Sequence, residues 1–313
     1  MRRRSIFKLN IIQHEIKTIV MKKRESRIAN NPVHTRPTGM TIFAAILTIA
    51  VPLMLSCHPH KQKPTNHTFN IPIAEEVTPE SNLEIPVLDQ EEPNLQLIEH
   101  YAYTVNYQKE WKIPRWVAYQ LTADEVVGTA ERKKHFIPDP ELDIEVSAVN
   151  DDYRNNGRDL DRGHMAPAAD MKWSDRAMEE SFFFSNICPQ NHNLNCGDWN
   201  DLEERVRGWA KYFGSAYIAC GPIISSKKPK TIGAAKVVVP DAFFKVILVE
   251  NKDGWQAIGF IMKNEAGSRN LSQYAVSIDE VEKTTGMDFF SGLDDSIEDK
   301  IEKSFDLSQW KLK

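Results

Sequence analysis

Residues 197–214, with the sequence GDWNDLEERVRGWAKYFG, limit the fold more than any other segment of this chain. Their apolar side chains recur at helical spacing and share one face: Trp199, Leu202, Val206, Trp209, Ala210 and Phe213. Gly214 predicts the end of the helix, because glycine readily takes the left-handed conformation found there. An amphipathic helix of this kind has to bury its apolar face against another element.

Four apolar runs follow the helix and predict strands: SAYIACGPI, AKVVVP, AFFKVILVE and WQAIGFIM. Two more strands are predicted before it, at 101–107 and 115–122. Residues 174–186 predict a helix that gives way to a short strand, and 294–305 a packed C-terminal helix. Because strands and helices do not alternate regularly, we expect an α+β fold in which helices flank a mixed or antiparallel sheet.

The first 57 residues have the pattern of an export segment. Basic residues precede a charge-free run at 40–56, and Cys57 follows directly. The sequence LMLSC resembles a lipobox with Cys57 as the lipidated residue, so we expect a membrane-anchored lipoprotein in the periplasm or at the cell surface. A cleaved secretory signal and a retained anchor are the alternatives, although a run of 17 residues is at the lower limit for a membrane-spanning helix.

Residues 58–99 predict an extended, disordered linker. They contain six of the seventeen prolines, no glycine, and eight acidic residues against two lysines. A segment of this composition cannot bury a core. The folded domain is therefore expected to span 100–313.

The charge of the chain is uneven. Residues 1–57 carry a net charge of +8 in a chain of −5, so residues 58–313 carry −13. A domain this acidic is not attracted as a whole to nucleic acid or to anionic lipid. A polyanion would need a local basic patch, for which RKK at 132–134 and SSKKPK at 225–230 are candidates.

The cysteines are few. If Cys57 carries lipid, Cys188, Cys196 and Cys220 remain, and an exported protein could form one disulfide among them. The spacing leaves the pairing open. No CxxC or Cys/His spacing typical of a zinc site is present.

The sequence DLDRGHMAPAADM, at 159–171, predicts a loop that holds one histidine. A neutral imidazole can accept a proton from water near neutral pH, so His164 is a candidate general base whose pKa would set the pH dependence of the rate. Gly163 permits unusual backbone geometry, and the small residues after His164 are expected to leave open space beside the ring.

A second cluster, SNICPQNHNLNCGDW at 185–199, is rich in asparagine. An asparagine oxygen suits Mg²⁺, but asparagine also favours turns and helix caps. The turn or cap interpretation is preferred for Asn191 and Asn193, whereas both remain open for Asn195. On the long helix, Glu203 and Arg207 are i, i+4 neighbours and form either a surface ion pair or part of an active site.

DRGHMAPAADM together with SNICPQNHNLNCGDWNDLEERVR resembles the DNA/RNA non-specific endonucleases, the ββα-metal (His-Me finger) nucleases that include endonuclease G. The resemblance extends over roughly residues 100–310. It implies a ββα-metal fold, hydrolysis of DNA and RNA with little sequence preference, and Mg²⁺ as cofactor with Mn²⁺ as an alternative. The segment RNNGRDL before the motif departs from shorter versions of the family.

The resemblance also implies roles for individual residues. His164 matches the general base, Asn195 the single protein ligand of the metal, and Asn186 the asparagine that positions substrate or supports the metal site. Glu203 matches an acid acting on the metal-bound waters, and Arg207 a phosphate-binding arginine. An upstream arginine of the family is placed at Arg132, with Lys134 as the rival, and Arg162 is taken as a supporting residue.

Two other functions remain open at this point. One is a catalytically weak relative that binds nucleic acid or another partner, which the presence of both His164 and Asn195 argues against. The other is a phosphodiesterase acting on a different substrate, which the acidic charge slightly favours. No protein partner is inferred.

Overall fold

The computed structural model describes residues 82–154 and 159–310. Its thirteen described strands are β1 (Val87–Leu88), β2 (Leu95–Glu99), β3 (Thr104–Gln108), β4 (Ile113–Thr122), β5 (Leu160–His164), β6 (Ile187–Asn191), β7 (Ser215–Ile223), β8 (Thr231–Ile232), β9 (Val237–Val238), β10 (Ala242–Asn251), β11 (Gly254–Lys263), β12 (Ala275–Val276) and β13 (Met287–Asp288). Its α-helices are α1 (Asp175–Glu180), α2 (His192–Asn195), α3 (Asp198–Phe213), α4 (Ile278–Thr285), α5 (Asp295–Lys303) and α6 (Leu307–Trp310).

Seven strands form the central sheet, in the order β12-β11-β10-β7-β4-β3-β2. Neighbouring strands in this sheet are antiparallel throughout. Since successive side chains of a strand point to opposite faces, Phe243 and Phe244 on β10 belong to two different cores. The expectation of an α+β fold with an antiparallel sheet is confirmed.

Helix α3 covers one face of the sheet and packs against β7 and β10. Its buried stripe is the predicted one, except that Phe213 is only partly buried. The helix ends at Gly214, which has a φ of 92° and so takes a backbone conformation that few other residues adopt. On the other face, α4 and α5 pack against β11.

The predicted linker is wrong for its described part. Residues 82–99 contain β1 and β2, and β2 is an edge strand that pairs with β3. Leu83 and Ile98 are 1% and 3% exposed, so they belong to the cores. The prolines flank these short strands rather than interrupt them, and averaging the composition over 58–99 concealed the short apolar segment. Residues 58–81, like the expected export segment, lie outside the described residues.

Other boundaries shifted by a few residues. The helix predicted over 174–186 is limited to α1, after which a 3₁₀ turn leads into β6. The C-terminal helix ends at Lys303. Cys188, Cys196 and Cys220 are all free thiols, so no disulfide joins the three cysteines that the structure describes. In the described ranges, no helix is long and apolar enough to span a membrane.

Candidate active site

The site is built on a two-stranded hairpin, β5 and β6, followed by the short helix α2. The strands pair antiparallel, with His164 opposite Ile187 and Asp161 opposite Gln190. Gly163 is required for this pairing, because a Cβ there would overlap the Gln190 side chain. Helix α2 contacts both strands. The hairpin and helix therefore bring the two sequence motifs together.

His164, the last residue of β5, is held between two aromatic rings. The ring centroids of Phe136 and Phe182 lie 5.2 and 4.9 Å from that of His164. The open space expected beside the ring is therefore filled, and small Ala166 is fully buried in the turn that follows. Nε2 of His164 has no hydrogen-bond partner among the described residues. A buried ring nitrogen without a partner costs free energy, so the packing of Phe136 and Phe182 has to hold the imidazole in place.

Burial and, as the smaller cause, the positive charge of Arg132 together lower the pKa of His164 to about 3. The imidazolium is disfavoured because it would lose hydration and face a like charge. The ring is therefore neutral across the neutral pH range and can accept a proton.

Asn186 stabilises the turn after His164. Its Oδ1 accepts a hydrogen bond from Ala166 N at 2.8 Å, and its Nδ2 donates to the carbonyl oxygens of Ala166 and Ser181, both at 2.9 Å. The residue is 0% exposed. Its amide is thus fully used inside the fold and cannot reach a substrate, so its geometry fits a support of the site and not a substrate contact.

Asn195 is the last residue of α2, and Asp161 of β5 holds it. Its Nδ2 donates to Asp161 Oδ2 at 2.8 Å, and the same oxygen lies 2.9 Å from Nδ1 of His192. Among the described residues, Oδ1 of Asn195 has no hydrogen-bond partner, so this oxygen is free to accept a ligand. Sequence reasoning did not assign Asp161 a role, although the residue stands inside the DRGH motif.

Arg207 pairs with Asp170 and not, as its spacing allowed, with Glu203. Its Nη1 donates to Asp170 Oδ1 at 2.9 Å, while Tyr119 OH donates to Asp170 Oδ2 at 2.8 Å. Asp170 is 0% exposed, and burial raises its pKa. Arg207 is therefore anchored by a buried carboxylate, while its own side chain stays 17% exposed.

Glu203 is half-buried on α3 and, within the described ranges, its carboxylate has no hydrogen-bond or ion-pair partner. Burial raises its pKa to about 7. The positive charges of Lys245, Arg207 and Arg132 oppose this rise, while Asp170 adds to it. Glu203 therefore changes its charge near neutral pH, in the middle of a set of basic groups.

Two arginines stand over the aromatic rings that hold His164. The guanidinium carbon of Arg132 is 5.2 Å from the ring centroid of Phe182, and that of Arg162 is 5.2 Å from Phe136. Arg132 is exposed and acts on the pKa of both His164 and Glu203, so it lies close to both. The assignment of Arg132 as the upstream arginine of the family, with Lys134 as its rival, stays a prediction.

Lys245 lies beneath the site, and sequence reasoning missed it. It is 0% exposed, its Nζ is 4.6 Å from the ring centroid of Trp199, and the same nitrogen is 3.5 Å from the carbonyl oxygen of Met165. The signal available in the sequence was one lysine within the apolar run AFFKVILVE. A charge in such a run is expected to have a specific partner.

Residues 86–296 match the family model described as DNA/RNA non-specific endonuclease. The chain is 38% identical over 211 residues to the mitochondrial nuclease EXOG of Xenopus laevis, covering 63% of this chain and 58% of the relative. With the nuclease of Serratia marcescens the identity is 32%, over 66% of this chain and 78% of the relative. A crystal structure of the EndoG/EndoGI complex superposes with a TM-score of 0.59 at 30% identity, covering 63% of this chain and 86% of that chain.

The chain spans less than two thirds of the length of the EXOG relatives it matches, from 58% in Xenopus laevis to 64% in Mus musculus. The family match itself covers most of the described residues.

The comparisons contradict the expectation of an exported, membrane-anchored lipoprotein. The EXOG relatives and endonuclease G of Homo sapiens, which is 31% identical over 62% of this chain, are named as mitochondrial. Residues 1–57 contain ten basic residues against two acidic ones. An N-terminal segment rich in basic residues and poor in acidic ones is also typical of mitochondrial transit peptides, so the pattern did not separate the two destinations.

Proposed function

Since the chain belongs to the DNA/RNA non-specific endonuclease family and has its ββα-metal fold, we propose that it hydrolyses phosphodiester bonds of DNA and RNA with little sequence preference. One observation carries the proposal. Strand β5 ends in His164 with an unpaired ring nitrogen, and three residues earlier its Asp161 holds the amide of Asn195. A single strand thus positions a candidate base and a candidate metal ligand.

The donor groups of the site fit a hard divalent cation. Asn195 offers a neutral oxygen whose amide is fixed at its other end, and Glu203 offers a carboxylate without a partner among the described residues. So few protein oxygens suit Mg²⁺, which keeps several of its waters in protein sites, and Mn²⁺ is the alternative. When bound, the cation neutralises phosphate charge and stabilises the leaving oxygen.

The residues of the chain account for the remaining steps. Neutral His164 accepts the proton of the attacking water. Exposed Arg132 and anchored Arg207 supply the positive charge that a phosphate in its transition state requires. Asp170 fixes the direction of Arg207, and Asn186 fixes the turn that carries His164. A local set of basic groups in an otherwise acidic domain explains how a polyanion could bind here.

The test is digestion of plasmid DNA and of RNA by the purified full-length chain, with Mg²⁺ and with EDTA. We expect both substrates to be cut into internal fragments only when Mg²⁺ is present, and His164→Ala to lose most of the activity. Cleavage that persists in EDTA would contradict the metal assignment. If a small phosphodiester were hydrolysed while both polymers stayed intact, the phosphodiesterase alternative would replace the nuclease.

A further inference from the structure

Helix α2 carries two side chains of the kind that bind soft metals, one turn apart. His192 opens the helix and Cys196 is its C-cap residue, a pair whose spacing in the sequence did not indicate a metal site. Nε2 of His192 lies 3.8 Å from Sγ of Cys196. A tetrahedral zinc ion, with Zn–N near 2.0–2.1 Å and Zn–S near 2.3 Å, separates such ligand atoms by about 3.5 Å. The two atoms are therefore within a few tenths of an ångström of the spacing that one cation requires.

The other ring nitrogen of His192 is already held. Nδ1 lies 2.9 Å from Asp161 Oδ2, and a carboxylate can only accept a hydrogen bond, so we assign the proton to Nδ1 and the lone pair to Nε2. A histidine that ligates zinc through one nitrogen and donates to a carboxylate through the other is the arrangement usual in zinc sites. The ring is thus oriented with its acceptor nitrogen toward the thiol.

Both ligands are accessible, which distinguishes Cys196 from the other described cysteines. The side chain of His192 is 58% exposed and Cys196 is exposed. Cys188 and Cys220 are buried, and the Sγ of Cys220 already donates to the carbonyl oxygen of Met165 at 3.2 Å. A cation from solvent therefore meets only one of the three thiols.

We propose that His192 and Cys196 form a binding site for a soft divalent cation, of which Zn²⁺ is the reference, and that its occupation inhibits the enzyme through Asp161. On binding, the cation takes the imidazole nitrogen and the thiolate, the thiol proton goes to solvent, and water completes the coordination. No group is oxidised or reduced. The inhibition rests on the proposed nuclease function, whereas the binding does not.

The coupling follows from an oxygen atom that two residues share. Asp161 Oδ2 accepts from His192 and also from Asn195 Nδ2, the amide that the proposed function assigns to the catalytic cation. A dication on His192 draws Asp161 toward the imidazole and repels a second dication nearby. We therefore expect Zn²⁺ to raise the Mg²⁺ concentration that half-saturates the enzyme.

Binding is tested with Co²⁺ on the full-length chain, kept reduced with a phosphine. Co²⁺ bound to a thiolate gives an intense near-ultraviolet charge-transfer band, and Zn²⁺ should displace it. We expect one equivalent of Co²⁺ to bind to the wild type and to the matched variant Cys57→Ser, and no charge-transfer band in Cys196→Ser. Asp161→Asn alters the group that accepts the hydrogen bond of His192, so its affinity for Co²⁺ should be weaker by about 10–100-fold. A band that survives in Cys196→Ser would overturn the site.

Inhibition is measured separately, as DNA cleavage against Zn²⁺ at several fixed Mg²⁺ concentrations. The wild type should be inhibited, and Cys196→Ser should be inhibited only at a Zn²⁺ concentration at least about tenfold higher. Equal inhibition of both proteins, with the Co²⁺ band lost in the variant, would place the inhibitory Zn²⁺ elsewhere and refute the coupling. If the wild type cut no nucleic acid at all, the proposed function would fail while the Co²⁺ result still decided the binding site.

Discussion

Replacing His164 and Asn195 one at a time separates the proposed base from the proposed metal ligand. The two side chains share strand β5 as their support but not a contact, because His164 is held by Phe136 and Phe182 whereas Asn195 is held by Asp161. Each can therefore be truncated without releasing the other. His164→Ala removes the unpaired Nε2, and Asn195→Ala removes the unpaired Oδ1.

The expected magnitudes differ in kind. Loss of a general base lowers kcat by about 10² to 10⁴-fold, and the Mg²⁺ dependence of His164→Ala should match the wild type. Asn195→Ala should raise the half-saturating Mg²⁺ concentration while kcat largely recovers at high Mg²⁺. The lost hydrogen bond to Asp161 is half-exposed and worth about 0.5–1.5 kcal/mol, so the variant should stay folded.

The assay is the initial rate of plasmid cleavage as a function of Mg²⁺ for wild type and both variants. Asn193→Ala is the matched control, since Asn193 is an exposed asparagine on the same short helix. It should behave as the wild type does. If added Mg²⁺ rescued His164→Ala but not Asn195→Ala, the assignment of base and ligand would be reversed.

The remaining predictions concern ionisation and buried charge. In the wild type, the half-saturating Mg²⁺ concentration should fall as pH passes about 7. Burial raises the pKa of Glu203 to about 7 in the metal-free protein, and only the carboxylate form can help to hold a cation. A pH dependence that Glu203→Gln kept unchanged would refute the assignment. Asp170→Ala should lower the free energy of unfolding by about 3–5 kcal/mol, because it leaves Arg207 unpaired. Tyr119→Phe, which removes only a hydrogen bond to Asp170, should lower it by about 1 kcal/mol. Equal losses for the two variants in urea denaturation would show that the ion pair is unimportant. Burial and the nearby Glu282 raise the pKa of Glu302 to about 8, so its neutral form is favoured by folding and stability is lost as pH rises from about 4.5 through 8. Glu302→Gln should therefore raise Tm at pH 9 but not at pH 4. The control is Glu280→Gln, at an exposed position. If Glu302→Gln raised Tm at pH 9 no more than the control does, the prediction would be contradicted.

Local patterns were sufficient for the elements whose burial is periodic. The apolar stripe of α3 recurs every three or four residues, so the helix and its buried face could be predicted, with its end at Gly214. The long strands β7, β10 and β11 were equally clear as apolar runs. Strand β2 was not, because a five-residue edge strand between proline-rich segments carries too short a pattern.

The motif also predicted candidate residues for the site, because the chemistry depends on residue type and the residues stand close together in sequence. His164 and Asn195 were assigned in this way, and the structure brings them onto one hairpin and its helix. The motif did not show which residues form hydrogen bonds or packing contacts with the site residues in the folded protein. Asp161 and Lys245 acquire their places only when β5 meets α2 and β10 passes beneath Met165.

The tertiary structure alone decided the ionisation of the site. The ordinary pKa of a histidine is near 6.5, so the sequence predicted that His164 sets the pH dependence of the rate. Two aromatic rings from other segments remove its hydration and lower its pKa to about 3, while burial raises that of Glu203 to about 7, so of these two residues Glu203 is the one that titrates near neutral pH. Likewise, the i, i+4 spacing allowed Arg207 to pair with Glu203, but Asp170, from 37 residues away, holds it instead. Residue type and spacing are properties of the sequence, whereas desolvation and partners across the fold arise only when distant segments come together.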